Sequence, residues 1–482
     1  MRSGYEVAAV RAAEAALMAT LPDGTLMGRA ADGLARTCAA LLGPVYGSRV
    51  VLLVGSGDNG GDALYAGARL ARRGARVDAV LLGSRTHEAG LAALRRSGGR
   101  AHPGGDATSG DLLAKADLVV DGVVGIGGVG GLRQPVARLV EAVDASGAWR
   151  VAVDLPSGVD ADTGRVEGAA FTADVTVTFG CLKPGVLVGP GHARSGVVEL
   201  VDIGLGPHLD GAQAAVQVLE ADDVAAAWPQ PGPDDDKYTR GVVGVVAGSP
   251  AYTGAAVLCV GAALRAGAGM VRFVGEGAAA DAVRARWPEA VLGDGRVQAW
   301  VVGPGLGTGP EAVAAVRTAL ASDVPVLVDA DGLTVLAEHP ELVRGRAAPT
   351  VLTPHDREYE RFGRAVGDDR LGAARRLAAD LGVTVLLKGS TTVVAQPGGL
   401  AFVNPTGTSW LATAGSGDVL SGITGTLLAA GLGAMAPVHA AFVHGLAARV
   451  ASEGGPVTAL DVAAAVPRAL AALLPPRARI AG

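Results

Sequence analysis

The sequence predicts two tandem three-layer α/β domains, the first built on a doubly wound parallel sheet. Three observations carry this. Its strand-like runs are apolar throughout rather than alternating, as strands covered on both faces require. Helical runs rich in Ala, Leu and Arg lie between them. The pattern lapses around residues 205–240, in a stretch rich in Gly, Pro and Asp, and then resumes with different motifs. The two series share no repeat, so the expected domains are 1–215 and 225–482.

The opening "YEVAAVRAAEAALMATL" reads as an amphipathic helix, because Glu6 and Glu14 interrupt any apolar core that a signal peptide would need. Strands then follow in "RVVLLVG", "ARVDAVLLG", "ADLVVDGVVG", "WRVAVDLP", "DVTVTFG" and "VVELVDIG", with helices such as "DALYAGARLARRG" between them. After the lapse come "GVVGVVAGS", "GMVRFVG", "AWVVGPGLG", "VPVLVDADG", "PTVLTPH", "VTVLLKGSTTVVAQ" and "LAFVN". The uncharged run 422–443 is long enough to span a membrane. Gly431, Gly433, Pro437 and His439 divide it, so two buried helices are expected instead.

Composition narrows the function. The net charge is −6 with no long run of like charges, so no nucleic-acid partner is expected. Cys38, Cys181 and Cys259 lie in apolar or Gly-rich stretches, with no C-x-x-C and no H-E-x-x-H, which indicates neither a disulfide framework nor a zinc site. A reducing cytoplasm and no membrane are the expected setting.

Two stretches carry chemistry. In "VGSGDNGGDAL", Gly55, Gly57 and Gly60 fit G-x-G-x-x-G between a strand and a helix, a loop whose N–H groups hold phosphate oxygens. Asp58 and Asp62 sit where a pyrophosphate would lie, which points to an intervening cation or a different contact. Asp121 and Asp154 end later strands, and Ser157 follows. The carboxyl ends of such strands share one crevice, so Asn59, Asp62, Asp121, Asp154 and Ser157 are expected to converge as oxygen ligands for a hard cation. Taken singly, Asp121 and Asp154 also read as turn-capping acids. In "NPTGTSWLATAGSGDVLSG", Gly415, Ser416 and Gly417 form an anion hole at a helix start. Asp418 in that first turn is either a capping acid or a base beside a transferred phosphoryl group.

Together, "GSGDNGGD", "DGVVGIG", "DLPSGVDADTG" and "FGCLKPG" resemble the NAD(P)H-hydrate epimerase domain over residues 1–210. The resemblance implies a Rossmann-like fold and a K⁺ ion on Asn59, Asp121 and Ser157. It implies substrate contacts from Asp58, Asn59, Gly60, Gly61 and Asp62, from Gly125, Ile126, Gly127, Gly128, Val129, Gly130 and Gly131, and from Asp154. Asp154 would be the acid/base group, with Lys183 nearby. The family pattern G-N-N-G-G-D-G is altered at Asp58 and Ala63.

"GSGD" with "KYTRGVVGVVAGSPAYTGAA", "GPGLG", "VDADGL", "TPHDREYERF" and "LLKGSTT" resembles the ADP-dependent NAD(P)H-hydrate dehydratase, a ribokinase-like enzyme, over residues 225–480. That implies substrate contacts at Ala255, Gly305, His355 and Asp418. It also implies AMP contacts at Lys388, Gly389, Ser390, Thr391, Thr392 and Gly417, with Mg²⁺ accompanying ADP. Asp356 and Arg357 replace the family's Pro-Gly. The expectation is a bifunctional repair enzyme acting on hydrated NADH or NADPH (NADHX, NADPHX) with ADP, in a homo-oligomer. A small-molecule kinase with a nucleotide-binding module, a non-catalytic NAD sensor and a Rossmann dehydrogenase remain as alternatives.

Overall fold

The computed structural model describes residues 1–104 and 107–474, so the end of the expected second domain, 475–482, lies outside the described residues. The chain divides into two compact units. One is Ser3–Val216; the other is Gln217–Gly482 together with Met1 and Arg2. The Met1 ammonium and the Arg2 guanidinium pair with Glu220 and Asp223.

After a short strand β1 (Arg2–Gly4), the first unit contains β2 (Arg49–Val54), β3 (Arg76–Leu81), β4 (Arg100–Pro103), β5 (Leu118–Gly122), β6 (Trp149–Val153), β7 (Val175–Phe179) and β8 (Val197–Val201). They form one sheet in the order β4-β3-β2-β5-β6-β7-β8, every pair parallel. The order reverses beside β2, which makes the β2/β5 boundary the switch point where such sheets bind ligands. Successive side chains of a strand point to opposite faces. Val50, Leu52 and Val54 therefore enter one core cluster, and Val51 and Leu53 another. Both faces are buried, which is why these strands read as unbroken apolar runs. The short β4 was not legible in the sequence; its burial is only partial.

The second unit contains β9 (Val216–Val218), β10 (Val242–Val246), β11 (Met270–Phe273), β12 (Val291–Leu292), β13 (Ala299–Val302), β14 (Val326–Val328), β15 (Thr350–Leu352), β16 (Thr384–Leu387), β17 (Val393–Ala395) and β18 (Ala401–Val403). The sheet order is β1-β9-β18-β17-β16-β15-β14-β13-β10-β11-β12. The pairs from β12 to β16 are parallel; β16, β17 and β18 pair antiparallel. The apolar run 422–443 is split as expected. Helix Ser416–Ala429 ends before Gly431, and helix Ala436–Ser452 starts anew with Pro437 in its first turn. Among the described residues no helix is long and apolar enough to cross a membrane.

Candidate functional site

In the first unit the carboxyl ends of β2, β5, β6 and β7, four adjacent strands, carry the 55–62 loop, Asp121, Asp154 and Lys183. The glycines of the loop have distinct jobs. A Cβ on Gly55 would fall on the Val123 carbonyl and one on Gly60 on the Gly55 carbonyl, whereas one on Gly57 meets nothing within 4 Å. The outer two let backbones touch, and the middle one leaves room for a ligand. Helix Asp58–Arg72 begins here, with Asp58 exposed and Asp62 buried.

Asp121 is 1 % exposed, and its carboxylate accepts from the Ser157 hydroxyl at 2.7 Å and from the Ser157 N–H at 2.8 Å. Burial pushes its pKa up to about 6 against the pull of those hydrogen bonds. The Ser157 hydroxyl also lies 3.2 Å from the Val124 carbonyl oxygen. Asn59 donates to the Val153 carbonyl at 2.5 Å, which leaves its Oδ1 turned toward Gly125. Oxygen atoms of Asn59, Asp121 and Ser157 therefore gather around residues 123–125, and an all-oxygen set of this kind fits a hard cation.

Asp154 has φ +67°, a left-handed conformation that is uncommon outside glycine and marks functional positions. Its Oδ1 accepts from Lys183 Nζ at 2.6 Å, from the Thr178 hydroxyl at 3.0 Å and from the Phe179 N–H at 3.3 Å. Among the described residues Oδ2 has no donor, so it is the oxygen left for a ligand. Lys183 is buried and also bonds the Phe179 carbonyl at 3.0 Å. Asp62 is 6 % exposed and its Oδ1 has no partner. The 125–131 loop is pinned at both ends: Ile126 packs against the Leu155–Val186 cluster, and Gly131 lies against the Glu167 carbonyl. Val129, between them, is almost wholly exposed.

Sequence reasoning missed two groups here. Helix Val7–Met18 brings Arg11 to within 2.9 Å of the point where a Gly127 Cβ would stand. Glu14, three residues on and hence on the same helix face, is pushed up by burial and by Asp154 and Asp58, against the pull of Lys183 and Arg11. The amphipathic pattern showed the helix but not what it faces.

In the second unit, β13, β14, β15 and β16 are successive neighbours, and their carboxyl ends lead to Gly305, Asp329, His355 and Lys388. A cavity of about 670 Å³ opens there; its wall includes His355, Lys388, Gly389, Ser390, Thr392, Gly417 and Asp418. Thr391 is buried behind the wall with an unpartnered hydroxyl. Ala255 and Gly305 do not line the cavity. They pack on each other, with the Gly305 Cβ position 2.9 Å from Ala255 Cβ.

Helix Ser416–Ala429 starts at the cavity from Gly415, whose φ of +85° suits glycine. Among the described residues no backbone carbonyl takes up the Gly417 or Asp418 N–H groups, which leaves both to an anion. Lys388 Nζ lies 3.3 Å from where a Gly417 Cβ would be, and it pairs with Asp329 at 2.7 Å and Glu358 at 3.5 Å. Burial works against the Lys388 charge, but those two carboxylates outweigh it and raise its pKa. Asp418 makes no hydrogen bond with the other described residues. Burial and the neighbouring Asp329 raise its pKa to about 7. His355 caps helix Asp356–Glu360, its Nδ1 accepting from the Glu358 N–H at 3.1 Å while its backbone N–H donates to the Glu358 carboxylate at 2.8 Å. The Asp356-Arg357 variant thus keeps an ordered turn.

Asp329, Ser421 and His444 were not singled out from the sequence. Asp329 follows the last residue of β14 as Asp154 follows that of β6, within the quoted "VDADGL", so position alone would have found it. Ser421 donates to Asp329 at 2.7 Å from one turn beyond Asp418. His444 carried no sequence signal, being one buried residue of an apolar helix.

Residues 243–468 match the family described as NAD(P)H-hydrate dehydratase, and residues 23–185 match that described as YjeF-related protein N-terminus. The chain is 57 % identical over 443 residues, 90 % of each chain, to the bifunctional NAD(P)H-hydrate repair enzyme Nnr of Mycobacterium tuberculosis. The chain belongs to the family of bifunctional NAD(P)H-hydrate repair enzymes. The Nnr of Mycobacterium leprae is 55 % identical over 95 % of this chain and 96 % of its own, and that of Corynebacterium glutamicum 40 % identical over 89 % and 87 %. Among solved structures, the ADP/ATP-dependent NAD(P)H-hydrate dehydratase of Bacillus subtilis, co-crystallised with ATP and Mg²⁺, is 27 % identical. It covers 54 % of this chain and 99 % of its own with a TM-score of 0.50. The repair-enzyme family thus accounts for both units, and the second has the fold of that dehydratase.

Proposed function

We propose that the chain restores hydrated NADH and NADPH in two steps. The first unit, 1–215, exchanges the R and S forms at C6 of the nicotinamide ring. The second, 225–482, dehydrates the S form with ADP, releasing AMP and phosphate. The observation that carries this is Asp418: a half-buried carboxyl without a protein partner, at a helix start with free N–H groups, beside the Lys388 ammonium.

In the second unit Asp418 takes the C6 hydroxyl proton as the oxygen attacks the terminal phosphorus of ADP. The Gly417 and Asp418 N–H groups and Lys388 steady the transferred phosphoryl group. Phosphate then leaves C6, expelled by the N1 lone pair, and loss of a C5 proton yields NAD(P)H. Gly389, Ser390 and Thr392, which line the cavity, would contact the AMP moiety. Mg²⁺ supplies charge neutralisation on the phosphates. Asp329 and Glu358 are both engaged by Lys388, so the ion would arrive on the nucleotide rather than in a protein cage.

In the first unit Asp154 Oδ2 accepts the C6 hydroxyl proton, and Lys183 holds the other oxygen. K⁺ on Asn59, Asp121 and Ser157 would order the 123–125 backbone and screen the acids of the crevice. Free, buried Cys38, Cys181 and Cys259 suit the reducing cytoplasm in which we place the protein, as a homo-oligomer.

The test is incubation of the pure protein with both hydrate epimers, ADP or ATP, and Mg²⁺. Recovery of NADH absorbance from both epimers is expected. Phosphorylation of the substrate without NADH recovery would make the second unit a kinase instead.

A further inference from the structure

We infer that Asp62 is the proton donor that works with Asp154, so that epimer exchange uses one carboxyl group as acid and the other as base. This rests on the epimerase reading of the first unit.

The two acids sit in contrasting surroundings. Asp154 is ion-paired with Lys183 at 2.6 Å. Asp62 lies buried one turn into helix Asp58–Arg72, and among the described residues its Oδ1 has no partner. The charged groups that face it are Asp154, Asp58 and Glu14, with Arg69 the cation. Arg69 is committed elsewhere, to Asp32 and to the Tyr65 and Gly28 carbonyl oxygens. His87, whose ring edge lies near Gly61, spends Nδ1 on the Gly90 N–H at 3.0 Å. An unpartnered carboxyl in this position is retained at a cost, since burial without a partner is unfavourable. Burial and three neighbouring acids push its pKa upward from the ordinary carboxylate value, the direction that favours the protonated acid. A buried, unpartnered carboxyl group near an ion-paired one is an arrangement that can divide acid from base.

The step balances without a co-reactant. Asp154 Oδ2 takes the C6 hydroxyl proton, the C6–N1 bond breaks, and its electron pair on N1 takes the proton of Asp62. C6 becomes an aldehyde carbonyl. Rotation about C5–C6 presents its other face. N1 re-forms the bond, its proton returns to Asp62, and Asp154 returns the proton to oxygen. Only the configuration at C6 has changed.

The experiment uses the full chain. Asp62→Asn keeps the size and removes the acid, so kcat for epimer exchange should fall by roughly 10²–10⁴ with KM little changed, while dehydration of the S form proceeds normally. A raised KM with kcat retained would make Asp62 a substrate contact and overturn the inference. Wild-type kcat for exchange should decline on the alkaline side; its absence overturns the inference even where Asp62→Asn does not fold. Infrared difference spectra at neutral pH should show a protonated carboxyl in the wild type that Asp62→Asn lacks; a carboxylate band in its place overturns it without reference to activity. Wild-type protein that exchanges no epimers would overturn the epimerase reading and this inference together, whereas exchange that survives Asp62→Asn overturns this inference alone.

Discussion

Lys388 Nζ lies 2.7 Å from Asp329 Oδ1, in a pair where Asp329 is 1 % exposed and itself held by the Ser421 hydroxyl. The pair joins the end of β14 to the end of β16 and sets an ammonium beside the helix that starts at Ser416. Removing one partner leaves a buried charge uncompensated, at a cost of about 3–5 kcal/mol. Lys388→Met should therefore lower the melting temperature and abolish NADH recovery. Calorimetry and the coupled assay check both. An active, equally stable variant would remove Lys388 from the phosphoryl site.

Asp418→Asn should abolish ADP-dependent recovery while epimer exchange continues, a loss of roughly 10²–10⁴ in rate where a helix cap alone would cost far less. The base must be ionised, so wild-type dehydration should rise with pH through about 7. Stability runs the other way. Its folded pKa lies above the ordinary value of 3.8, so the folded state binds the proton more tightly, and stability falls as pH rises from about 4 to about 7. Asp418→Asn should accordingly gain stability relative to wild type at pH 8 and not at pH 4. Chemical denaturation at the two pH values reads this.

Asp154→Asn should do the reverse in the activity assay. The S form is dehydrated at the normal rate, and recovery then stalls at the slow spontaneous inversion of the R form. Chromatographic separation of both epimers over time shows it; undiminished exchange would return Asp154 to a strained turn.

The proposed K⁺ would sit on the oxygen atoms of Asn59, Asp121 and Ser157. Epimer exchange should be faster in K⁺ than in a bulky organic cation, with dehydration rates compared at saturating S form as the control. Equal exchange rates in the two salts would count against the site.

His444 is buried in the second unit against the Ser416 backbone, with Nε2 unpartnered. Burial brings its pKa down to about 4 from an ordinary 6.5. The unfolded chain therefore takes up the proton first, and this stability, complete above pH 6.5, is lost as pH falls toward 4. His444→Leu should flatten the decline in denaturation midpoint across that window. An unchanged slope would mean the ring is solvated.

Much of both units could be read from the chain alone. Apolar strands interrupted by helical runs specify covered parallel sheets, because only strands buried on both faces need to be apolar on both. Gly55, Gly57 and Gly60 announced their loop for a steric reason that holds locally: backbone atoms touch where no Cβ fits. Asp121, Asp154 and Asp418 were visible because each stands where a strand or glycine loop ends, and chain-local position is what a sequence records.

What only the tertiary structure decided is which groups face one another. Strand order, not sequence order, set Lys388 on Asp329 across 59 residues and Lys183 on Asp154 across 29. Glu14 and Arg11 joined the first crevice by helix packing that no local pattern encodes. The contrast between Asp62 and Asp154 belongs here too. Both are aspartates beside glycine-rich turns; the fold pairs Asp154 with Lys183 and leaves Asp62 Oδ1 buried without a partner among the described residues, since desolvation and charge pairing depend on neighbours remote in the chain.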